Sequence, residues 1–220
     1  MTGMPVGLIQ TSLGGSPMER WNPKDGDLYL NMLDKIHQTG GKYAGVLWYQ
    51  GCSDTNPGPA EKYLEHFREY VEATRKELGY EIPFFTMQLN RQINGINDEC
   101  WGMVRDAQAR AAKEIPGVSV LTTSNLSLCD GIHNTAQANV ALGEKLAKQC
   151  AHVLNGKEEY QPPELVKVER ADEAERKSFQ LEGSGIWLKL TCDHVKNCFL
   201  VYSAVGKDSG FTLTDSEGEV

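Results

Sequence analysis

The feature that most constrains the fold is the alternation, over the first 155 residues, of short apolar runs with amphipathic stretches. Residues 6–11, 44–50, 83–89 and 118–123 are β-rich and apolar throughout. Continuous apolar runs with helices between them are the mark of a parallel sheet covered on both faces, because each crossover buries the strand it leaves. The expectation is an α/β fold with four such strands.

The intervening helices carry their own punctuation. Tyr63, Phe67, Tyr70, Val71, Thr74 and Leu78 recur at helical spacing after Asn56-Pro57, and Gly79 ends the run. Trp101, Val104, Gln108 and Ala111 share a second stripe, which stops at Ile115-Pro116 because a residue before proline avoids the helical region. Gln108 is a polar group in that stripe, read as a core amide bonded to loop backbone rather than as a ligand contact. A last helix over residues 135–154 presents Leu142, Leu146, Cys150 and Val153 together and closes at Asn155-Gly156.

Beyond residue 156 the composition changes. More than half of residues 157–177 are charged, and Gln161-Pro162-Pro163 interrupts any helix. The reading is a first domain over 1–156, a linker over 157–163, and a partial β-sandwich-like domain over 164–220. In the last of these, Ile186, Leu188 and Leu190 alternate with Trp187 and Lys189.

Charge and length exclude several classes. With 22 basic against 30 acidic residues the net charge is −8, which repels phosphate backbones, so no nucleic-acid partner is expected. No run reaches the roughly 18 apolar residues of a membrane span, and Met1-Thr2-Gly3-Met4-Pro5 has no cationic start. The six cysteines lack paired Cys-x-x-Cys clusters, so no metal site and no cofactor is expected; only Cys192 and Cys198 are close enough to suggest a local bridge.

In an open parallel sheet, ligands bind beyond the carboxyl ends of the strands. After the first run comes Ser12-Leu13-Gly14-Gly15-Ser16, where bare backbone N–H groups can approach a ligand, or simply turn the chain. After the second stands Gln50-Gly51-Cys52-Ser53-Asp54; the Gln50 amide can donate to a developing oxyanion, or satisfy loop carbonyls. Cys52 is a poor nucleophile beside Asp54, since reactive thiols want cationic surroundings. After the fourth comes Cys129-Asp130-Gly131-Ile132-His133-Asn134. Asp130 and His133 can meet across the glycine turn, the carboxylate holding the imidazole and its tautomer, or the turn can be a helix entry with a surface histidine. His37, His66 and His152 fall in helices and His194 in the tail, where solvated or core positions account for them.

Gly14-Gly15-Ser16 with Trp21, Gly45-Val46-Leu47-Trp48-Tyr49-Gln50-Gly51, Val104-Arg105-Asp106-Ala107-Gln108 and Asp130-Gly131-Ile132-His133 occur in this order over residues 5–155. On these motifs the chain resembles the sialate O-acetylesterases and acetylxylan esterases of the SGNH hydrolases. The resemblance implies a flavodoxin-like three-layer sheet and removal of acetyl groups from sugars by a serine nucleophile. It makes His133 the general base, Asp130 its orienting carboxylate, and Gly14 or Gly15 N–H and the Gln50 amide the oxyanion donors. It also implies a periplasmic or secreted location.

Three departures stand out. Cys52 occupies the place of a common glutamate, Asn134 that of a frequent proline, and the Gly-Gln-Ser turn that carries the family's nucleophile is nowhere in the 220 residues. The expectation is therefore an acetylesterase whose serine lies upstream, its first domain incomplete at the N-terminus and prone to self-association through the open sheet. The alternatives are an inactive fragment or a non-catalytic sugar-binding module on the same fold.

Overall fold

Three of the four apolar runs become strands. In the computed structural model, which describes residues 5–155, 164–178, 188–193, 199–202 and 211–214, these are β1 (Val46–Trp48), β2 (Phe84–Met87) and β3 (Val118–Leu121). They form a parallel sheet in the order β1-β2-β3, with Val46 opposite Phe84 and Phe84 opposite Val118. The helices α1 (Asp27–Thr39), α2 (Pro59–Leu78), α3 (Asp98–Glu114) and α4 (Ala136–Asn155) complete this α/β unit, with His37, His66 and His152 on α1, α2 and α4.

The sequence signals act where they stand. Pro59 opens α2, and Gly79 closes it in the left-handed conformation at φ 77°. Ile115, ahead of Pro116, leaves α3 in an extended conformation.

The two faces of the sheet are covered unequally. Period-2 alternation puts Trp48, Phe84 and Val118 on one face, where they join Tyr63, Phe67 and Tyr70 of α2 and Val104 and Ala111 of α3 in the main core. Its centre is aromatic: Trp48 lies 4.7 Å from Tyr70 between ring centroids, and Trp21 meets Trp48 edge-on at 5.1 Å. The opposite face holds a smaller cluster in which Met87 packs with Leu126 and with Ala138 and Leu142 of α4. Leu47 points to that side from the edge strand and is 48% exposed. Burial on both faces therefore holds for β2, all of whose residues are buried, and fails at the flanking strands.

The fourth run is a correction. Residues 6–11 form no strand, and Val6 and Leu8 are 78% and 77% exposed. β-propensity measures fit to a pleated, half-buried surface, and this stretch has no neighbouring strand to supply one. The Gly14-Gly15 turn follows irregular chain rather than a strand.

The chain divides into two units near residue 157. In the second, β4 (Glu164–Arg170) pairs antiparallel with β5 (Leu188–Asp193), with a register irregularity between Leu165 and Lys167, and α5 (Glu173–Ser178) lies between them in sequence. A separate antiparallel pair joins β6 (Phe199–Tyr202) to β7 (Phe211–Thr214). Gly156, the 157–163 linker, Ile186, Trp187, His194 and Cys198 lie outside the described residues. No helix among the described residues is long and apolar enough to cross a membrane.

Gln108 is the buried amide its stripe implies. Its Oε1 accepts from Leu89 N at 2.8 Å, and its Nε2 donates to Gln50 O at 2.9 Å. Truncation leaves a buried N–H and a carbonyl without partners, each costing about 1–3 kcal/mol. Gln108→Ala should therefore destabilise the first unit by roughly 2–4 kcal/mol in urea unfolding at unchanged m. A loss below about 0.5 kcal/mol would mean that neither bond matters.

Candidate active site

The carboxyl ends of β1, β2 and β3 lead into residues 49–54, 88–92 and 122–134, so the fold brings together the loops that sequence reasoning singles out. The most ordered chemistry lies in the last. Leu128 and Asn134 form an antiparallel bridge, Cys129 N donates to His133 O at 2.9 Å, and Thr135 N donates to Ser127 O at 2.9 Å, which makes a tight reversal with Asp130 and His133 at its tip.

Within that tip Asp130 Oδ1 accepts from the backbone N–H groups of Ile132 and His133, at 2.8 and 2.7 Å. Its Oδ2 meets His133 Nδ1 at 2.7 Å. The carboxylate is thus held below its ordinary range, to about 2, chiefly by the Ile132 and His133 N–H groups and then by the imidazole. Donation of the Nδ1 proton to Asp130 leaves Nε2 as the imidazole's lone-pair nitrogen, and Nε2 has no hydrogen-bond partner among the described residues.

Side chains of other loops anchor the tip through Asn134 and Gly131. Asn134 Nδ2 donates to Tyr49 Oη at 3.1 Å, while Asn134 Oδ1 accepts from buried Asn90 at 2.6 Å. Asn94 covers Gly131 so closely that a Cβ there would stand 2.7 Å from the amide, and Ile93 N donates to Gly131 O. Trp101 Nε1 donates to Asn90 O at 2.8 Å and ties this loop to α3. Tyr49 lies within the Trp-Tyr-Gln-Gly run, and its position is visible there. Asn90 and Asn94 have no local signal at all.

The other two loops are joined by Gln50. Its Nε2 donates to Ser16 O at 2.9 Å and to Asp54 Oδ2, and its Oε1 accepts from Tyr63 Oη at 3.1 Å. Both amide hydrogens are therefore committed inside the protein, and the expected oxyanion donor does not present them to the open site. Gly51 holds φ at 140°, where a Cβ would come within 3.0 Å of Gln108 Nε2, so this sharp departure from β1 requires glycine. Ser53 Oγ donates to Gly15 O at 3.0 Å and fixes the same turn from the other side. Gly14 and Gly15 are exposed, and neither N–H is bonded among the described residues.

Asp54 is 3% exposed and makes no ion pair among the described residues. Its carboxylate accepts from Met18 N at 3.0 and 3.1 Å and from Gln50. Burial raises its pKa, opposed by the bonds from Gln50 and Met18 and by nearby His66. The Cys52 thiol is likewise pushed up, first by burial and then by Asp54 and Asp130. It stays protonated and unreactive.

No serine among the described residues is bonded to His133. Ser16 Oγ accepts from Trp21 Nε1 at 3.1 Å, Ser12 Oγ accepts from Gln10, and Ser53 is committed to Gly15. Among the described residues no group of three or more His, Cys, Asp or Glu could hold a metal ion.

Known proteins similar to this chain are carbohydrate esterases by name. A protein of Arabidopsis thaliana, named a probable carbohydrate esterase, is 28% identical over 149 residues, which cover 65% of this chain and 54% of that one. The X-ray structure of that Arabidopsis protein superposes with a TM-score of 0.56 at 26% identity, over 64% of this chain and 58% of its own. A carbohydrate acetylesterase from Xanthomonas citri superposes with a TM-score of 0.66 at 26% identity, over 77% of this chain and 42% of its own. The chain thus spans about half the length of these relatives. The family described as carbohydrate esterase, sialic acid-specific acetylesterase matches residues 1–152, and the chain belongs to it.

Proposed function

We propose that the first unit is part of a flavodoxin-like SGNH hydrolase and carries the acid–base half of a carbohydrate O-acetylesterase, its substrates acetyl esters of sugars. The observation that carries this reading is the 2.7 Å pair of His133 Nδ1 and Asp130 Oδ2 at the carboxyl end of the sheet, with Nε2 unbonded among the described residues. His133 Nε2 takes the proton of a serine hydroxyl as that oxygen attacks the acetyl carbonyl carbon. The resulting imidazolium then protonates the departing sugar oxygen as the ester bond breaks. Water repeats the sequence on the acyl-enzyme, with His133 again the base.

Gly14 and Gly15 N–H are the proposed oxyanion donors. Gln50 acts through them: its bond to Ser16 O holds the turn that presents them. No serine hydroxyl among the described residues bonds His133, Ser16 Oγ is buried against Trp21 and Ser53 Oγ donates to Gly15 O, which favours a nucleophilic serine supplied by polypeptide outside these 220 residues.

In an extended polypeptide that includes the nucleophilic serine, His133→Ala should lower hydrolysis of 4-nitrophenyl acetate and of an O-acetylated sugar by several orders of magnitude. Retention of more than about a tenth of the rate would remove His133 from the mechanism. Loss of hydrolysis in the 220-residue chain itself on Ser12→Ala, Ser16→Ala or Ser53→Ala would place the nucleophile inside it.

Asp130, with its pKa at about 2, remains anionic throughout the range above about pH 4. The sign follows: what its ionised form contributes to holding the imidazole is complete above the ordinary carboxylate pKa and is lost only as the pH falls through about 2. Asp130→Asn should therefore depress kcat at every pH above about 4, where the wild-type carboxylate is ionised, and an unchanged kcat there would remove Asp130 from the mechanism.

The open edge of β1, with Leu47 exposed beside it, is the proposed site of self-association. Sedimentation velocity should show association that grows with concentration and that Leu47→Lys abolishes. A monomer at about 100 μM would exclude it.

A further inference from the structure

We propose that Asp54 is the positioning residue of the oxyanion turn: its buried carboxylate fixes which end of the Gln50 amide faces Ser16 and thereby sets the Gly14-Gly15 backbone. The inference rests on the acetylesterase reading for its catalytic consequence and on geometry alone for its structural part.

A primary amide has two orientations related by a half-turn, and neighbouring donors and acceptors select between them. Around Gln50 the selection comes from two sides. Tyr63 Oη lies 3.1 Å from Oε1 and 3.3 Å from Gln108 Nε2, and a phenol can donate or accept, so it would tolerate either end of the amide. Both Asp54 oxygens accept, from Met18 N and from Gln50 Nε2, and a carboxylate oxygen in this role can only accept. Asp54 therefore breaks the tie on its side, as Ser16 O, which likewise can only accept, does on the other. The carboxylate forces Nε2 toward itself, which delivers the second amide hydrogen to Ser16 O at 2.9 Å.

The same carboxylate grips Met18 N two residues beyond Ser16. Ser53, one residue before Asp54, holds Gly15 O. One short turn, Cys52–Asp54, thus fastens residues 15–18 directly at Met18 and Gly15, and Gln50, held by Asp54, adds Ser16. Nothing on the far side competes: the cavity of about 370 Å³ lined by Pro17, Met18, Asp54, Lys62 and His66 contributes no hydrogen bond to Asp54 among the described residues beyond that of Met18 N. A carboxylate left at 3% exposure without an ion pair is costly unless its acceptor capacity is used, and these donors use it.

Asp54→Asn tests the tie directly. The asparagine can present an N–H₂ where the carboxylate could only accept, and the Gln50 amide is expected to turn, placing its Oε1 toward the new side chain and withdrawing the hydrogen from Ser16 O. The first arm is NMR of the 15N-labelled 220-residue chain. In the wild type a nuclear Overhauser contact should join the Gln50 side-chain amide to Met18 N–H, since both donate to Asp54. In Asp54→Asn the Gln50 amide resonances and the Gly14 and Gly15 N–H resonances should shift, while those of Ile132 and His133 should not. Absence of the wild-type contact, or unmoved Gly14 and Gly15 resonances in a folded variant, overturns the proposal.

The second arm is kinetic, in the extended polypeptide. Asp54→Asn should lower kcat for acetyl-ester hydrolysis about 10²-fold with KM changed less than about threefold, because a displaced donor acts on the transition state. A change in KM alone overturns the catalytic consequence. An extended wild type that hydrolyses no acetyl ester overturns the acetylesterase reading and the catalytic part together, while the wild-type contact still decides whether Asp54 orients Gln50.

Discussion

Every loop of the candidate site converges on one problem: the carboxyl end of a small parallel sheet must bury polar groups that its strands no longer bond. Gln108 reaches from α3 to join Leu89 N with Gln50 O, Tyr63 reaches from α2 to Gln50, and Asp54 and Ser16 O take the two hydrogens of the Gln50 amide. Each member is bonded, which is the condition under which a buried polar network rigidifies rather than weakens its surroundings. The network joins the aromatic core through Tyr63, whose ring stacks on Phe67 with centroids 6.5 Å apart, so the core lowers the dielectric around it. Residues 5–13 offer the Gly14-Gly15 turn no strand to lean on, and the bonds it has are those of Gln50 to Ser16 O and of Ser53 to Gly15 O.

Much of the fold is legible in the sequence because α/β punctuation is local. Proline at the start of α2, glycine at its end and the Ile115-Pro116 stop each act within a few residues of themselves. Residues 6–11 fail for the opposite reason. Apolar alternation describes what a segment could bury and says nothing about whether a neighbour is present, and here Val6 and Leu8 remain exposed. The inequality of the two sheet faces is hidden likewise, since Leu47 is as apolar as Phe85 and only the sheet order makes one exposed and the other buried.

The site divides along the same line. Asp130 and His133 are three residues apart, so the meeting of carboxylate and imidazole is a property of one turn and can be read directly. Gln50 is found by its residue type, but sequence reasoning sends its amide to the open site when the fold points it inward, because the partners that claim it lie 34 residues away at Ser16 and four away at Asp54. Asn90, which holds Asn134 from 44 residues away, and Asn94, packed on Gly131, have chemistry too common to stand out in a sequence. Long-range side-chain bonds are chosen by the finished fold and leave no spacing to detect.

The thiol at position 52 follows from this arrangement of charge. Where the family that the chain resembles commonly has glutamate, Cys52 is close enough to Asp54 and Asp130 for both to raise its pKa. A carboxylate at that position would add a third like charge near Asp54 and Asp130. With a neutral thiol that charge is absent. Asp130 can then stay ionised on the strength of two backbone N–H groups and the imidazole alone, and Asp54 remains the only deeply buried carboxylate at this end of the sheet among the described residues. Charge near the imidazole is thereby confined to the one group that bonds it. A site reached by this route depends less on a third acid and more on the rigidity of the turn between Asp130 and His133, which Asn134, Asn90 and Asn94 provide.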